Sequence, residues 1–271
     1  MAHIDVTGGE LYVETDGDPS NPAVLLIHAG IATLRMWDPI VPHLSADHYV
    51  IRYDTRGFGQ TRTENVRFSN RADALAVLDG LGVRRATVVG SSRGGVIAID
   101  TALEFPERVA GLVVVGGAPS GFSDVDLTTH EDQLFDAIDA AYAKKDWERM
   151  LRLEVEVWSF GPHRTADDLD PAFVQAAYDL NLANLPHVEE DPSPIPLDPP
   201  AVDRLGDIDV PALIMVGEHD VSETLVQYEY LLSTLPDATG ARFPDAAHLP
   251  SVEQPEDFVR VLLDWLRAND L

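Results

Sequence analysis

Short apolar runs rich in β-branched residues recur along the chain and alternate with stretches of helical periodicity. Five of them, Val24 to Ile27, Tyr49 to Tyr53, Thr87 to Val89, Leu112 to Val115 and Ala212 to Val216, are nearly continuous in their hydrophobicity. Strands of that kind are buried on both faces, and with helices between them they form a parallel sheet. The pattern predicts an α/β fold. Of the intervening stretches, "FSNRADALAVLDGLG" carries apolar residues at helical spacing and stops at Gly80 and Gly82. "GGVIAIDTALEF" is apolar nearly all round and stops at Pro106, which marks a buried helix. "QPEDFVRVLLDWLRAND" places Pro255 in a first turn followed by Glu256 and Asp257, then shows an apolar face through Phe258, Val261, Leu262 and Trp265. It predicts a closing helix packed on the sheet.

Between Gly121 and Pro196 the alternation breaks. No strand-like run appears, and "EDQLFDAIDAAYAKK", "DWERMLRLEVEVW" and "DPAFVQAAYDLNLANL" follow one another as helical segments before the proline-rich "EEDPSPIPLDPP" brings the chain back. The expected organisation is a core made of residues 1–120 and 197–271, interrupted by a helical cap over residues 121–196. No internal repeat is evident.

Composition narrows the chemistry. The 271 residues can bury a sizeable core. Cysteine is absent, which removes disulfides, thiolate metal sites and a cysteine nucleophile. Acidic residues outnumber basic ones 46 to 19, giving a formal net charge of -27. Such a surface repels phosphate backbones and anionic membranes, so nucleic acid and membranes are not expected partners. It reads as a solvated, self-repelling surface, with adaptation to high salt as the sharper alternative. No apolar run reaches the length of a membrane span and the first residues lack the features of a signal peptide, so a soluble, cytoplasmic location is expected.

The stretch "VVGSSRGGVIAID" sets two serines between glycines. Only Ser92 has glycine two positions before it (Gly90) and two after it (Gly94); Ser91 has Val89 and Arg93 there. A serine presented on a sharp strand-to-helix turn crowds its neighbours two residues away, so that spacing singles out Ser92 as a nucleophile. The competing reading, a phosphate-binding loop, lacks the lysine or fingerprint spacing it would need.

A serine hydroxyl alone is a poor nucleophile and requires a general base with a group to orient it. "LIMVGEHD" reads as a strand ending near Asp220, and "FPDAAHLPSVEQPEDF" sets His248 in a loop before the last helix. The order serine, acid, histidine suits a strand-turn-helix serine. His248 is the expected base and Asp220 the group that holds its imidazole, with Glu218 as the competitor for the acid role. His28 is expected to be a hydrogen-bonded structural residue and His219 a neighbour of the site. A metal is not expected, since the nine histidines form no ligand-spaced pair.

The motifs "HAG", "RMWDPIVPHL", "VIRYDTRGFGQT", "VVGSSRGG", "FPERVAGLVVVG", "MVGEHD" and "AAHLPSVEQPEDF" appear in an order that resembles the α/β-hydrolase superfamily, in particular its small bacterial esterases, 3-oxoadipate enol-lactonases and haloperoxidase-like members. The resemblance covers nearly all of the chain outside the cap. It implies Ser92, Asp220 and His248 as catalytic triad, and an oxyanion hole from the backbone N–H groups of Arg93 and Gly30, with Ile31 as the alternative to Gly30. It implies a cofactor-free hydrolase acting on a small ester or lactone. A perhydrolase using the same residues, or a slow hydrolase-fold receptor, are the alternatives.

Two residues depart from the family pattern: Ala29 replaces a usual glycine, and Arg93 stands where methionine or leucine is commoner. The Arg93 side chain is expected to run along the surface rather than line the pocket entrance. Asp54 and Arg56 are expected to pair in a structural salt bridge. From the cap, Trp158 and Phe160 are expected to join Ile31 in the substrate pocket, with Met150, Leu153 and Val157 as candidates for the cap's own core.

Overall fold

The computed structural model of the chain describes residues 2–123 and 125–271. Eight strands form one path through a twisted sheet: β1 (Ala2–Val6), β2 (Gly9–Asp16), β3 (Ala23–Ile27), β4 (Tyr49–Tyr53), β5 (Ala86–Ser91), β6 (Val109–Val115), β7 (Ala212–Gly217) and β8 (Ala238–Phe243). Their spatial order is β1-β2-β4-β3-β5-β6-β7-β8. The pairs β1·β2 and β2·β4 are antiparallel, and every other pair on the path is parallel. The sequence pattern finds the five central strands. It misses β1, β2 and β8, whose exposed or polar positions (β8 reads "ATGARF") lack the continuous apolar signal of a strand covered on both faces.

Each central strand feeds two cores. Leu25, Ile27, Val88, Leu112, Val114 and Ile214 point into one, with Ala98 and Leu103 of the helix α1 (Arg93–Glu104). Val24, Leu26, Val89, Val113, Val115 and Met215 point into the other, with Phe258, Leu262 and Trp265 of the closing helix (Pro255–Ala268). Alternate residues of a strand face opposite sides, so a strand apolar at every position is the one that both cores require. Each such side chain taken fully out of water contributes about 1.5–3 kcal/mol.

Register decides where the chemistry can sit. Ile27 lies opposite Gly90, Ser91 opposite Val115 and Val115 opposite Met215. The carboxyl ends of β3, β5, β6 and β7 are therefore level, and the loops that follow them, carrying His28, Ser92, Gly116 and Asp220, meet on one edge. Ligands in open α/β sheets bind at that edge.

Between β6 and β7 the chain forms helices over Thr129–Ala143, Trp147–Glu154 and Pro171–Leu182, with a wide π turn over Val155–Ser159. A short strand, Ser193–Pro194, pairs with Arg67–Phe68 and ties this segment to the rest. A second tie is Glu131. It completes a capping box with Thr128 and also accepts both the N–H and the hydroxyl of Ser222, at 2.7 Å each. Partial burial opposes its charge, but the hydrogen bonds from Ser222 and Thr128 outweigh that and hold the carboxyl down at about 2. Among the described residues no helix is long and apolar enough to cross a membrane.

Candidate active site

Ser92 sits at the turn between β5 and α1 with φ 53° and ψ -119°, a left-handed conformation that costs a non-glycine residue of order 1–3 kcal/mol. The surroundings hold it there. Its N–H donates to Val115 O at 2.7 Å, and its carbonyl accepts from Gly95 N at 2.8 Å and Val96 N at 3.2 Å. A β-carbon on Gly90 would collide with the Gly94 carbonyl, and one on Gly94 with the carbonyls of Ile27 and His28. Both glycines are therefore required by contact, and the second lets the helix press against the loop after β3. Ser91, by contrast, is fully buried, and its hydroxyl has no partner.

His248 Nδ1 lies 2.7 Å from Asp220 Oδ2, with both residues almost sealed from solvent. Asp220 Oδ1 accepts the Val221 N–H at 2.8 Å, so both of its oxygens are engaged. With Nδ1 donating to the carboxylate, Nε2 is the ring nitrogen left for a proton transfer. Gly116, at φ +55°, passes beside the pair; a β-carbon there would lie 3.2 Å from His248 Nδ1. Glu218 is exposed and faces Arg242 at 3.8 Å, which takes it away from the imidazole. His219 is exposed as well.

Ser92 and His248 line one cavity of about 130 Å³, together with Gly116, Gly117, Trp158 and Gln227. The Ser92 hydroxyl makes no hydrogen bond among the described residues. Trp158 belongs to the π turn. Its ring centroid is 4.7 Å from that of His248 and its carbonyl accepts the His248 N–H at 3.3 Å, so the segment after β6 roofs the imidazole.

Gly30 and Arg93 are neighbours: a β-carbon on Gly30 would lie 3.8 Å from Arg93 Cβ. The Gly30 N–H has no acceptor among the described residues. That of Arg93 opens a helix, where the first N–H groups have no partner within the helix. Two unengaged donors beside a serine are the arrangement an oxyanion needs. Behind them His28 is fully buried. Its Nδ1 donates to Ala29 O at 2.7 Å and its Nε2 accepts the Thr55 N–H at 3.0 Å. Burial drives its pKa down to about 3, so the ring is neutral and acts as a strut.

Four expectations about side chains change. Arg93 does not follow the surface: Nη1 donates to Thr55 Oγ1 at 2.6 Å, Nη2 to Asn70 Oδ1 at 3.3 Å, and Cζ stacks 4.8 Å from the Phe58 ring centroid. Its acceptors lie far away in sequence, which is why a surface course is the default reading. Phe160 is wholly buried in the cap's own core with Val155, Phe173 and Ala177 and does not line the Ser92 cavity. Ile31 packs into the core that includes Trp37 and Phe258, and likewise lines no part of that cavity. Arg56 pairs with Asp73, at 2.7 and 3.0 Å, and not with Asp54, which instead accepts the N–H groups of Leu34 and Gln60 at 2.8 Å each. The sequence reading also passes over Thr55, Asn70, Phe58 and Gly116; only the paired glycines ending "VVVGG" gave a local sign, of a close approach after β6.

Comparison with known proteins agrees with this architecture. Residues 22–255 match the family model described as alpha/beta hydrolase fold. The chain is 31% identical to the 2-hydroxy-6-oxononadienedioate/2-hydroxy-6-oxononatrienedioate hydrolase of Paraburkholderia phymatum, over 96% of this chain and 92% of that one. It is 43% identical to rhodomycin D methylesterase DnrP of Streptomyces peucetius, over 43% of this chain and 42% of that one. Its structure resembles that of an esterase from Exiguobacterium antarcticum with TM-score 0.78 and 21% identity, over 98% of both chains.

Proposed function

Because the chain belongs to the alpha/beta hydrolase fold family, we propose that it is a serine hydrolase that cleaves a carboxylic ester or lactone of a small substrate through an acyl-enzyme. The observation that carries this reading is that His248, hydrogen-bonded to the buried Asp220, lines the same cavity as a serine held at φ 53°.

In this mechanism Ser92 Oγ attacks the ester carbonyl while His248 Nε2 takes its proton. Asp220 fixes the tautomer and stabilises the imidazolium. The negative charge that develops on the carbonyl oxygen meets the N–H groups of Gly30 and Arg93, each contributing about 3 kcal/mol. As the tetrahedral intermediate collapses, the C–O bond to the alcohol breaks and His248 returns the proton to the leaving oxygen. Water then enters and attacks the acyl-serine carbonyl as His248 removes its proton; when the second tetrahedral intermediate collapses, the bond to Ser92 Oγ breaks, His248 returns the proton to Oγ, and the acid is released. The cavity beside Ser92 and His248 is small, which suits a short alcohol; the methylesterase relative releases one.

Release of p-nitrophenol from its acetate and butyrate esters tests the reading. The wild-type protein turns both over, and Ser92→Ala reduces the rate to the uncatalysed background. A Ser92→Ala protein that retains wild-type turnover would overturn it.

A further inference from the structure

Arg93 lies in the wall of two cavities. It lines the small one with Ser92 and His248, and a second of about 320 Å³ with Gly30, Phe58 and Phe68. A β-carbon on Gly30 would come within 3.9 Å of Arg93 Cδ, so the aliphatic stem passes over the loop that carries the proposed oxyanion donor. Arg93 thus connects the point of chemistry to the larger space.

The guanidinium has neutral neighbours only. Its contacts are a threonine hydroxyl, an asparagine carbonyl and a phenylalanine face, and among the described residues no carboxylate lies within ion-pair distance. Two of its five N–H groups are engaged, which leaves three. Arg56, Glu154 and Glu190 are the other charged residue types in the wall of the larger cavity. Arg56 is held by Asp73, Glu190 by His187 at 3.0 Å, and the Glu154 carboxyl is pushed up by burial toward its neutral form, against a hydrogen bond from Asn181. Burial pulls the Arg93 pKa down to about 10, against the attraction of the Asp73 carboxylate beyond ion-pair distance, and the group remains cationic at neutral pH. A largely desolvated cation without a counterion is costly, and the cost is recovered when a carboxylate arrives, most fully when it binds in the two-pronged geometry that arginine favours.

Resting on the hydrolase reading above, we propose that Arg93 is a specificity-determining residue that binds a free carboxylate on the acyl part of the substrate, so that the preferred substrates are half-esters of dicarboxylic acids or lactones bearing a carboxylate. The acyl chain extends from the ester carbonyl at Ser92 Oγ past Gly30 into the larger cavity; the alcohol of a half-ester leaves through the smaller one, while the hydroxyl freed from a lactone stays on the acyl chain. The backbone N–H and the side chain of one residue then serve the oxyanion and the distant carboxylate together.

The test compares kcat/KM for the monoethyl esters of succinate, glutarate and adipate with that for ethyl butyrate, pentanoate and hexanoate, by acid release in a pH-stat. The wild-type protein should favour at least one half-ester over its neutral counterpart by about tenfold or more, mainly through KM, as one charge-assisted pair would give. In Arg93→Met that ratio should fall to about one or below, and Arg93→Lys should recover part of it. The ratio is the readout, whatever each variant does to the absolute rate. In the Ser92→Ala protein, calorimetry should show monoethyl glutarate binding more tightly than ethyl pentanoate. Neutral esters consumed with a wild-type ratio near one, or a preference that survives in Arg93→Met, would overturn the carboxylate subsite and leave the hydrolase standing. Failure of the wild-type protein to consume either series would overturn both readings.

Discussion

His248 Nδ1 and Asp220 Oδ2 stand 2.7 Å apart, each residue less than a twentieth exposed, and Gly116 passes so close that a β-carbon on it would lie 3.2 Å from that nitrogen. The hydrogen bond fixes which imidazole nitrogen carries the proton. Asp220→Asn keeps the shape but offers an amide that can stabilise the opposite tautomer, leaving a protonated Nε2 that cannot act as a base. Ester turnover should fall by roughly 10³–10⁴-fold with little change in melting temperature. Steady-state kinetics beside thermal denaturation checks this; a variant within a few-fold of wild type would separate Asp220 from the chemistry.

The two adjacent serines should respond in opposite ways. The Ser91 hydroxyl is buried without a partner, so Ser91→Ala removes an unsatisfied polar atom and should leave the melting temperature unchanged or raised, with substantial activity kept. Loss of most activity in Ser91→Ala, with the fold intact by circular dichroism, would contradict the choice of Ser92.

Acid should weaken the fold through His28. Its ordinary pKa of 6.5 applies in the unfolded chain, and burial lowers it to about 3 in the folded one. Between those values the unfolded chain holds a proton that the folded chain does not, so stability rises with pH across the window and is lost as pH falls through it. The urea midpoint should drop between pH 6.5 and 4, and His28→Gln should show a smaller drop. Equal drops in both proteins would remove His28 as the cause.

How much of this was legible in the sequence depended on whether the signal was local. The central strands announce themselves because both of their faces are covered, so every position is apolar. Ser92 is marked by Gly90 and Gly94 because the turn that presents it brings the Gly94 carbonyl against residue 90 and the Ile27 carbonyl against residue 94. Asp220 and His248 follow each at its strand end or loop, and the level register of the strands draws them to one edge. What failed to be legible was set by distant partners. The course of Arg93 is decided by Thr55 and Asn70, tens of residues away, and the partner of Arg56 is Asp73 and not the nearer Asp54. Trp158 and Phe160 look alike in the sequence, but the π turn sends one over His248 and the other into the cap.

The most direct test of the central claim is covalent trapping by diisopropyl fluorophosphate, read by intact-protein and peptide mass spectrometry. One adduct should form, on the peptide bearing Ser92, and fragmentation should place it on that residue. It should be absent from Ser92→Ala and form far more slowly in His248→Ala. An adduct on Ser91, or equal labelling of the wild-type and His248→Ala proteins, would show that His248 does not activate Ser92.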